Sequence, residues 1–295
     1  MSAKAPAADA LMQRVTAVFP DLAGLPCRIL GAGFDSVALD VDDRLVFKFP
    51  RHDAASAALA REARLLALVR PSVSIAVPDL VIVEATPPFS RHTKIKGEHL
   101  VAADYAELPV AARDRLAADL ARFFAEVHAL DPSRMAAAGA GPIKPWLGPD
   151  AILRGARDSL GPALAGYADR IIARWQALPP DPLGAVYGFF DGHGWNMAFD
   201  HAAQRLNGIY DFSDSGFAGL HQEFIYPAFI SADLTARVIT AYERQTGRQI
   251  DRRRVHLLAA VLRLSELAEF ALTAPADAEA MADSIKAWAS LPEPV

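Results

Sequence analysis

Apolar residues along this chain alternate with polar ones in its first third and then recur at every third or fourth position, with the change falling near Gly97. Residues 7–19 carry the spacing of a short amphipathic helix. Three runs follow, Arg28-Ile29-Leu30, Ser36 to Val41 and Arg44 to Phe49, separated by Gly-containing or Asp-rich turns, and they predict a meander of strands. The Ala-rich stretch from Ala54 to Val69 predicts a helix, capped by Asp53 and stopped at Arg70-Pro71. Leu80 to Glu84 and Phe89 to Ile95 read as two more strands. The sum is a small lobe with a five-stranded antiparallel sheet and one helix.

Beyond Gly97 the period is helical. Leu116, Leu120, Phe123, Phe124, Val127 and Leu130 mark one face of a long helix. Residues 131–149, rich in Ala, Gly and Pro, read as a loop, residues 163–177 as a helix, Gly184 to Gly188 as a strand, and the last seventy residues as two or three helices. The expected class is α+β, with an N-terminal lobe over residues 1–96 and a mostly helical C-terminal lobe over 97–295.

A chain of 295 residues that is 52% hydrophobic and 22% charged has ample material for a core. The single cysteine, Cys27, rules out an intrachain disulfide and has no neighbours that would make a zinc site. No apolar run reaches the roughly 20 residues of a membrane helix, and Asp9, Gln13 and Arg14 interrupt any signal-peptide core, so a cytoplasmic location is expected. Charge is uneven: residues 1–96 hold 12 Lys/Arg against 10 Asp/Glu, the remainder 18 against 25. A weakly positive lobe suits an anionic nucleotide and an acidic one a cationic acceptor. There is no basic stripe for nucleic acid.

Candidate chemistry lies in both lobes. Asp191 and Asn196 stand five residues apart, and Asp211 follows fifteen residues later. Two carboxylates and an amide oxygen at this spacing suit magnesium-assisted phosphoryl transfer, one Asp orienting a hydroxyl and the Asn and second Asp holding the metal. Lys48 stands between Phe47 and Phe49 and points away from them. Glu62 shares a helical stripe with Leu65, Leu66 and Val69, so a carboxylate is aimed at a core and needs a partner, for which Lys48 is the candidate. Gly31, Gly33 and Ser36 form a strand-to-strand turn able to cover phosphates. It is neither a Rossmann turn, which would end on a third glycine and open a helix, nor a Walker loop.

These pieces resemble the aminoglycoside phosphotransferase family, relatives of the protein kinases. The resemblance rests on Val46 to Arg51, Ala60 to Leu66, Lys94-Ile95-Lys96-Gly97-Glu98, Asp191 to Asn196 and Asp211 to Asp214, in matching order and spacing over nearly the whole chain. It implies a protein-kinase-like two-lobed fold and transfer of the γ-phosphate of ATP or GTP to a small-molecule hydroxyl. Lys48 and Glu62 would position the α- and β-phosphates, and the backbone from Thr93 to Ile95 would meet the base. Asn196 and Asp211 would ligate Mg²⁺, while Asp191 would orient the hydroxyl and finally accept its proton. Asp214 and Glu223 would face acceptor ammonium groups; Glu266 and Glu269, three apart on a late helix, could do likewise, but a solvated helix face is the preferred reading for them. Phe189 departs from the family, which has a loop-bracing His there, and Ser213 stands where many relatives have Gly. Trp195 would pack beneath the loop, the preferred reading, or line the acceptor cleft; His193 stands where the family often has a second His, or simply hydrogen-bonds backbone.

No activation segment ending in an Ala-Pro-Glu-like motif follows Asp211, which favours small acceptors over proteins. An aminoglycoside, amino alcohol, sugar or macrolide acceptor, a role in antibiotic resistance, the nucleotide preference and the oligomeric state are all open at this level. So is a catalytically impaired nucleotide-binding protein.

Overall fold

The structure, a computed structural model, describes residues 8–32 and 35–294. The chain divides into two compact units. One comprises Met1–Leu100, Ala129–Ala140 and Trp195–Ser213; the other comprises Val101–His128, Gly141–Gly194 and Asp214–Val295. A single cut after Lys96 does not anticipate the two later segments that group with the first unit.

In the first unit, strands β1 (Cys27–Ala32), β2 (Ser36–Val41), β3 (Leu45–Pro50), β4 (Val81–Val83) and β5 (Phe89–Thr93) form an antiparallel sheet in the order β1-β2-β3-β5-β4. Period-two alternation sends Val37, Leu39, Phe47, Phe49 and Phe89 to one face, where they are buried with Leu11 and Val15 of helix α1 (Ala8–Val18). The other face carries Ala38, Val46, Lys48, Ser90 and His92. Register places them together, since Lys48 pairs with both Ala38 and Ser90, and Val46 pairs with His92.

Helix α2 (Asp53–Val69) follows β3 and buries Ala55, Leu59, Glu62, Leu65, Leu66 and Val69. Its cap is His52, whose Nδ1 accepts from the Ala55 amide at 3.1 Å, and not Asp53, which occupies the first turn where its charge meets the helix dipole. The expected loop over 131–149 contains a short helix, Pro132–Ala137. Asp131 caps it by accepting from the Ser133 and Arg134 amides, and Pro132 is preset at its first position. A two-stranded ribbon, Met197–Asp200 with Arg205–Ile209, completes the unit.

The second unit is mainly helical. Helix Val110–His128 packs on Ala232–Thr246, and Pro149–Gln176, Arg252–Thr273 and Pro275–Ala289 pack together. Pro149–Gln176 begins well before the expected residue 163 and is broken at Gly161, whose φ of 69° no ordinary helix residue adopts. Strands Ala185–Gly188 and Gly216–Gly219 pair antiparallel. Among the described residues, no helix is long and apolar enough to cross a membrane.

Candidate functional site

Within the first unit, the polar face of the sheet closes one side of a cavity of about 480 Å³. Ala38, Val46 and Lys48 line it from the strands, Ile95, Gly97 and Glu98 from the segment after β5, and Trp195, Asn196, Tyr210 and Asp211 from around the ribbon.

Three of the lining residues form a charged cluster. Lys48 Nζ lies 3.2 Å from Glu62 Oε2 and 3.1 Å from Asp211 Oδ1. Glu62 is 2% exposed, and its other oxygen accepts from the Phe212 amide at 3.0 Å. Arg61, one residue earlier, donates to the Ser213 carbonyl, so α2 holds the segment around Asp211 at two points. Arg61 could not have been singled out in the sequence, where it is one of two arginines on an Ala-rich helix.

Protonation follows from this packing. Burial alone lowers the Lys48 pKa, but the opposing charges of Glu62 and Asp211 outweigh it, and the ammonium is held charged. Burial pushes Glu62 up, against the pull of Lys48 and the Phe212 amide. Burial also raises Asp211, but Lys48 and the Ser213 hydroxyl, 3.0 Å from Oδ1, bring its pKa below the ordinary value. One lysine between two carboxylates is a built cation, fixed in place and aimed along a cavity.

Asn196 and Asp211 are brought to the same end of the ribbon by its register. Met197 pairs with Ile209, so the residues just outside the ladder face each other, and the Tyr210 amide donates to the Asn196 carbonyl at 3.0 Å. Asn196 is 5% exposed, and Asp211 takes a positive φ of 66°, a conformation that is costly for a non-glycine residue and is held here by the contacts to α2. Gly97 fixes the ribbon to the segment after β5: its φ is 140°, and a Cβ there would lie 2.5 Å from the Ala198 carbonyl carbon.

The remaining expected nucleotide residues divide. Gly31 and Ile95 line the cavity. Ser36 opens β2 and Thr93 ends β5, and neither is a lining residue; the Thr93 carbonyl accepts from His92 Nδ1 at 3.0 Å. Gly33 lies outside the described residues. His92 was not expected at the site, although alternation along β5 could have revealed it. Burial lowers its pKa, and with Nδ1 donating, its Nε2 is left as an acceptor. Trp195 does not pack into a core as expected: it is 51% exposed and lines the cavity.

In the second unit, Asp191 sits on a loop held from behind by Glu223. This carboxylate accepts from the Phe189 amide at 2.9 Å and the Phe190 amide at 2.8 Å. Phe190, immediately before Asp191, has a φ of 51°, strained backbone that these bonds fix. His128 Nε2 lies 3.2 Å from Glu223 Oε2, and its Nδ1 lies 2.9 Å from the Tyr242 hydroxyl. Glu223 was expected to face acceptor ammonium groups. Instead it is fully buried, both oxygens are engaged by the chain's own donors, and a Cβ on Gly188 would collide with it at 2.3 Å.

Phe189, in the slot where the resemblance expects histidine, is fully buried and packs edge-on against Phe123 with ring centres 5.7 Å apart. The loop is thus braced by an aromatic contact and by Glu223 rather than by a histidine within it. His193 is 2% exposed, set against Tyr226 and Phe229, with its Nε2 3.6 Å from Asp191 Oδ1. Burial, with a lesser contribution from Arg263, pushes its pKa down to about 3, so it is neutral at pH 7.

Asp214 is exposed, whereas Glu269 bonds Lys144 at 3.0 Å on the surface. Burial lifts Glu266 to about 7. The Tyr226 phenol is pushed well up, first by burial and then by the charges of Asp191, Glu223, Glu266 and Asp214. The surroundings of Tyr226 are therefore acidic.

The model of the phosphotransferase enzyme family (APH) matches residues 27–258. This chain belongs to that family. Similar solved structures include a GDP complex of a mutant aminoglycoside 2'-phosphotransferase-IIIa, at 22% identity over 96% of this chain and 98% of that one, with a TM-score of 0.82. Another is the GDP and kanamycin complex of APH(2")-IIia, at 22% identity over 95% and 98%, with a TM-score of 0.79. The apoenzyme of a macrolide 2'-phosphotransferase from Brachybacterium faecium matches at 19% identity over 97% and 100%, with a TM-score of 0.65. No curated protein matches the chain. The phosphotransferase has the protein-kinase-like α+β fold of these structures, with the expected five-stranded antiparallel sheet and helical remainder.

Proposed function

We propose that this phosphotransferase moves the γ-phosphoryl group of ATP or GTP to a hydroxyl of a small cationic molecule, of which an aminoglycoside is the leading candidate. The unit that groups Ala129–Ala140 and Trp195–Ser213 with Met1–Leu100 is the nucleotide-binding part, and the unit that carries Asp191 is the acceptor-binding part. The observation that carries the reading is the half-buried Lys48, held between Glu62 and Asp211 in the lining of a cavity large enough for a nucleotide. A fixed ammonium stabilises negative charge as it shifts during transfer, without reorganising at the moment of reaction.

Asn196 and Asp211 suit Mg²⁺. Both offer hard oxygen donors, and Asp211 Oδ1 is already engaged by Lys48 and Ser213, which leaves Oδ2 for a cation. Among the described residues no group of three or more His, Cys, Asp and Glu could hold a metal. That fits an ion that takes few protein ligands and completes its shell with phosphate oxygens and water. When bound, the ion would neutralise phosphate charge.

Asp191 orients the acceptor hydroxyl and accepts its proton late. This role rests on its place five residues before Asn196, and the bracing of its loop by Glu223 supports it. The braced loop also favours an active enzyme over an impaired binding protein. Acidity around Tyr226 supports a cationic acceptor, and the kanamycin named in one similar structure agrees with it.

The test is a coupled assay of nucleoside diphosphate release from MgATP and MgGTP, run over aminoglycosides, macrolides, amino alcohols and sugars, with Asp191→Ala as the blank. Turnover with at least one acceptor is expected, falling by about 10²–10⁴ in the variant while nucleotide binding persists. Equal turnover in the two proteins would refute the role of Asp191.

A further inference from the structure

The cavity of the first unit has a mixed lining. The cluster of Lys48, Glu62 and Asp211, with Asn196, suits phosphate and a divalent cation. Leu30, Val46, Pro78, Leu80 and Ile95 add apolar surface, which suits a flat base, beside the charged Arg28, Lys94 and Glu98. Trp195 lines the same cavity with about half of its surface exposed, 51%, although nearly every other large apolar side chain of the ribbon region is buried. An indole gains nothing from contact with a triphosphate and much from contact with a sugar and a purine, because stacking matches two polarisable faces and removes both from water.

We infer that the indole of Trp195 is a wall of the nucleotide site, covering the base-and-ribose portion of the bound nucleotide. The inference rests on the nucleotide reading of the cavity and adds a contact carried by the chain position next to Asn196. One dipeptide then serves both ends of the ligand: Asn196 attends to the phosphate-bound cation and Trp195 to the nucleoside. Stacking does not depend on the hydrogen-bonding pattern of the base, so Trp195 contributes affinity without choosing between adenine and guanine.

The test compares the full-length protein with Trp195→Ala and Trp195→Phe, using MgADP, MgGDP and magnesium tripolyphosphate as probes. Dissociation constants come from calorimetry, with tryptophan fluorescence recorded alongside. The expected result is a loss of roughly 10-fold in affinity for both diphosphates in Trp195→Ala, largely restored in Trp195→Phe. Tripolyphosphate affinity should be unchanged, and the fluorescence change on MgADP binding should vanish in both variants. Unchanged diphosphate affinity in Trp195→Ala, or an equal loss for tripolyphosphate, would overturn the inference, the second because it would mean that Trp195 acts through Asn196. If the unmodified protein binds neither diphosphate, the nucleotide reading itself falls, which is a distinguishable outcome.

Discussion

Replacing Glu223 by alanine removes the acceptor for two adjacent backbone amides, those of Phe189 and Phe190, at 2.9 and 2.8 Å in a fully buried setting. Each is a charge-assisted bond worth about 1.5–3 kcal/mol. His128 loses its contact to the same carboxylate at 3.2 Å. Because strained backbone at Phe190 can relax once released, the losses will not add fully, and a destabilisation of about 3–5 kcal/mol is expected. Glu223→Gln keeps one carbonyl oxygen for the loop and should cost about half as much. Urea unfolding of the three proteins reads this directly. Turnover should fall about 100-fold in Glu223→Ala, since a shift of about 1 Å in Asp191 misaligns the reacting groups, while the dissociation constant for MgADP stays within a factor of two or so. A destabilisation below about 1 kcal/mol together with a selective rise in acceptor KM would refute the bracing role. That result would return Glu223 to the acceptor-facing role suggested by the sequence.

Two further outcomes are expected. In Asp211→Ala, magnesium should no longer strengthen nucleotide binding, as measured by calorimetry with and without the ion; undiminished magnesium dependence would remove Asp211 from the metal site. His193 governs an acid limb of stability: its pKa falls from about 6.5 in the unfolded chain to about 3 when folded. The unfolded chain therefore binds more protons in this window, and stability is lost as pH falls below about 6.5. At pH 5 the loss is about 2 kcal/mol relative to pH 7. His193→Phe should flatten the urea midpoint between pH 7 and 5, and an unaltered slope would show that other groups control it.

Bracing of the Asp191 loop shows where sequence reading stops. Phe189 is visible as a departure from the family pattern, but its buried contact with Phe123 and the supporting oxygens of Glu223 come from segments 66 and 34 residues away. A lone Glu in the apolar run Leu220–Phe229 reads equally well as a ligand for a cation. The same limit applies to Trp195, since hydrophobicity predicts burial for an indole and only the tertiary fold decides whether a wall is provided to cover it. Thr93 illustrates a finer version: its place in β5 was legible, but the use of its carbonyl by His92 was not.

What the sequence alone determined is whatever has a short period or a fixed spacing. The alternation that sends Lys48 away from Phe47 and Phe49, the stripe that buries Glu62, and the order of Asp191, Asn196 and Asp211 are all set by residues within a few turns or strand positions of one another. What only the tertiary structure decided is partnership across long separations: Asp211 as the second carboxylate on Lys48, 163 residues away, Arg61 on Ser213, and Glu223 behind the loop. Periodicity specifies which face a side chain occupies, because backbone geometry fixes it. It does not specify what that face meets, because each pairing depends on register and packing between segments that the linear code leaves independent.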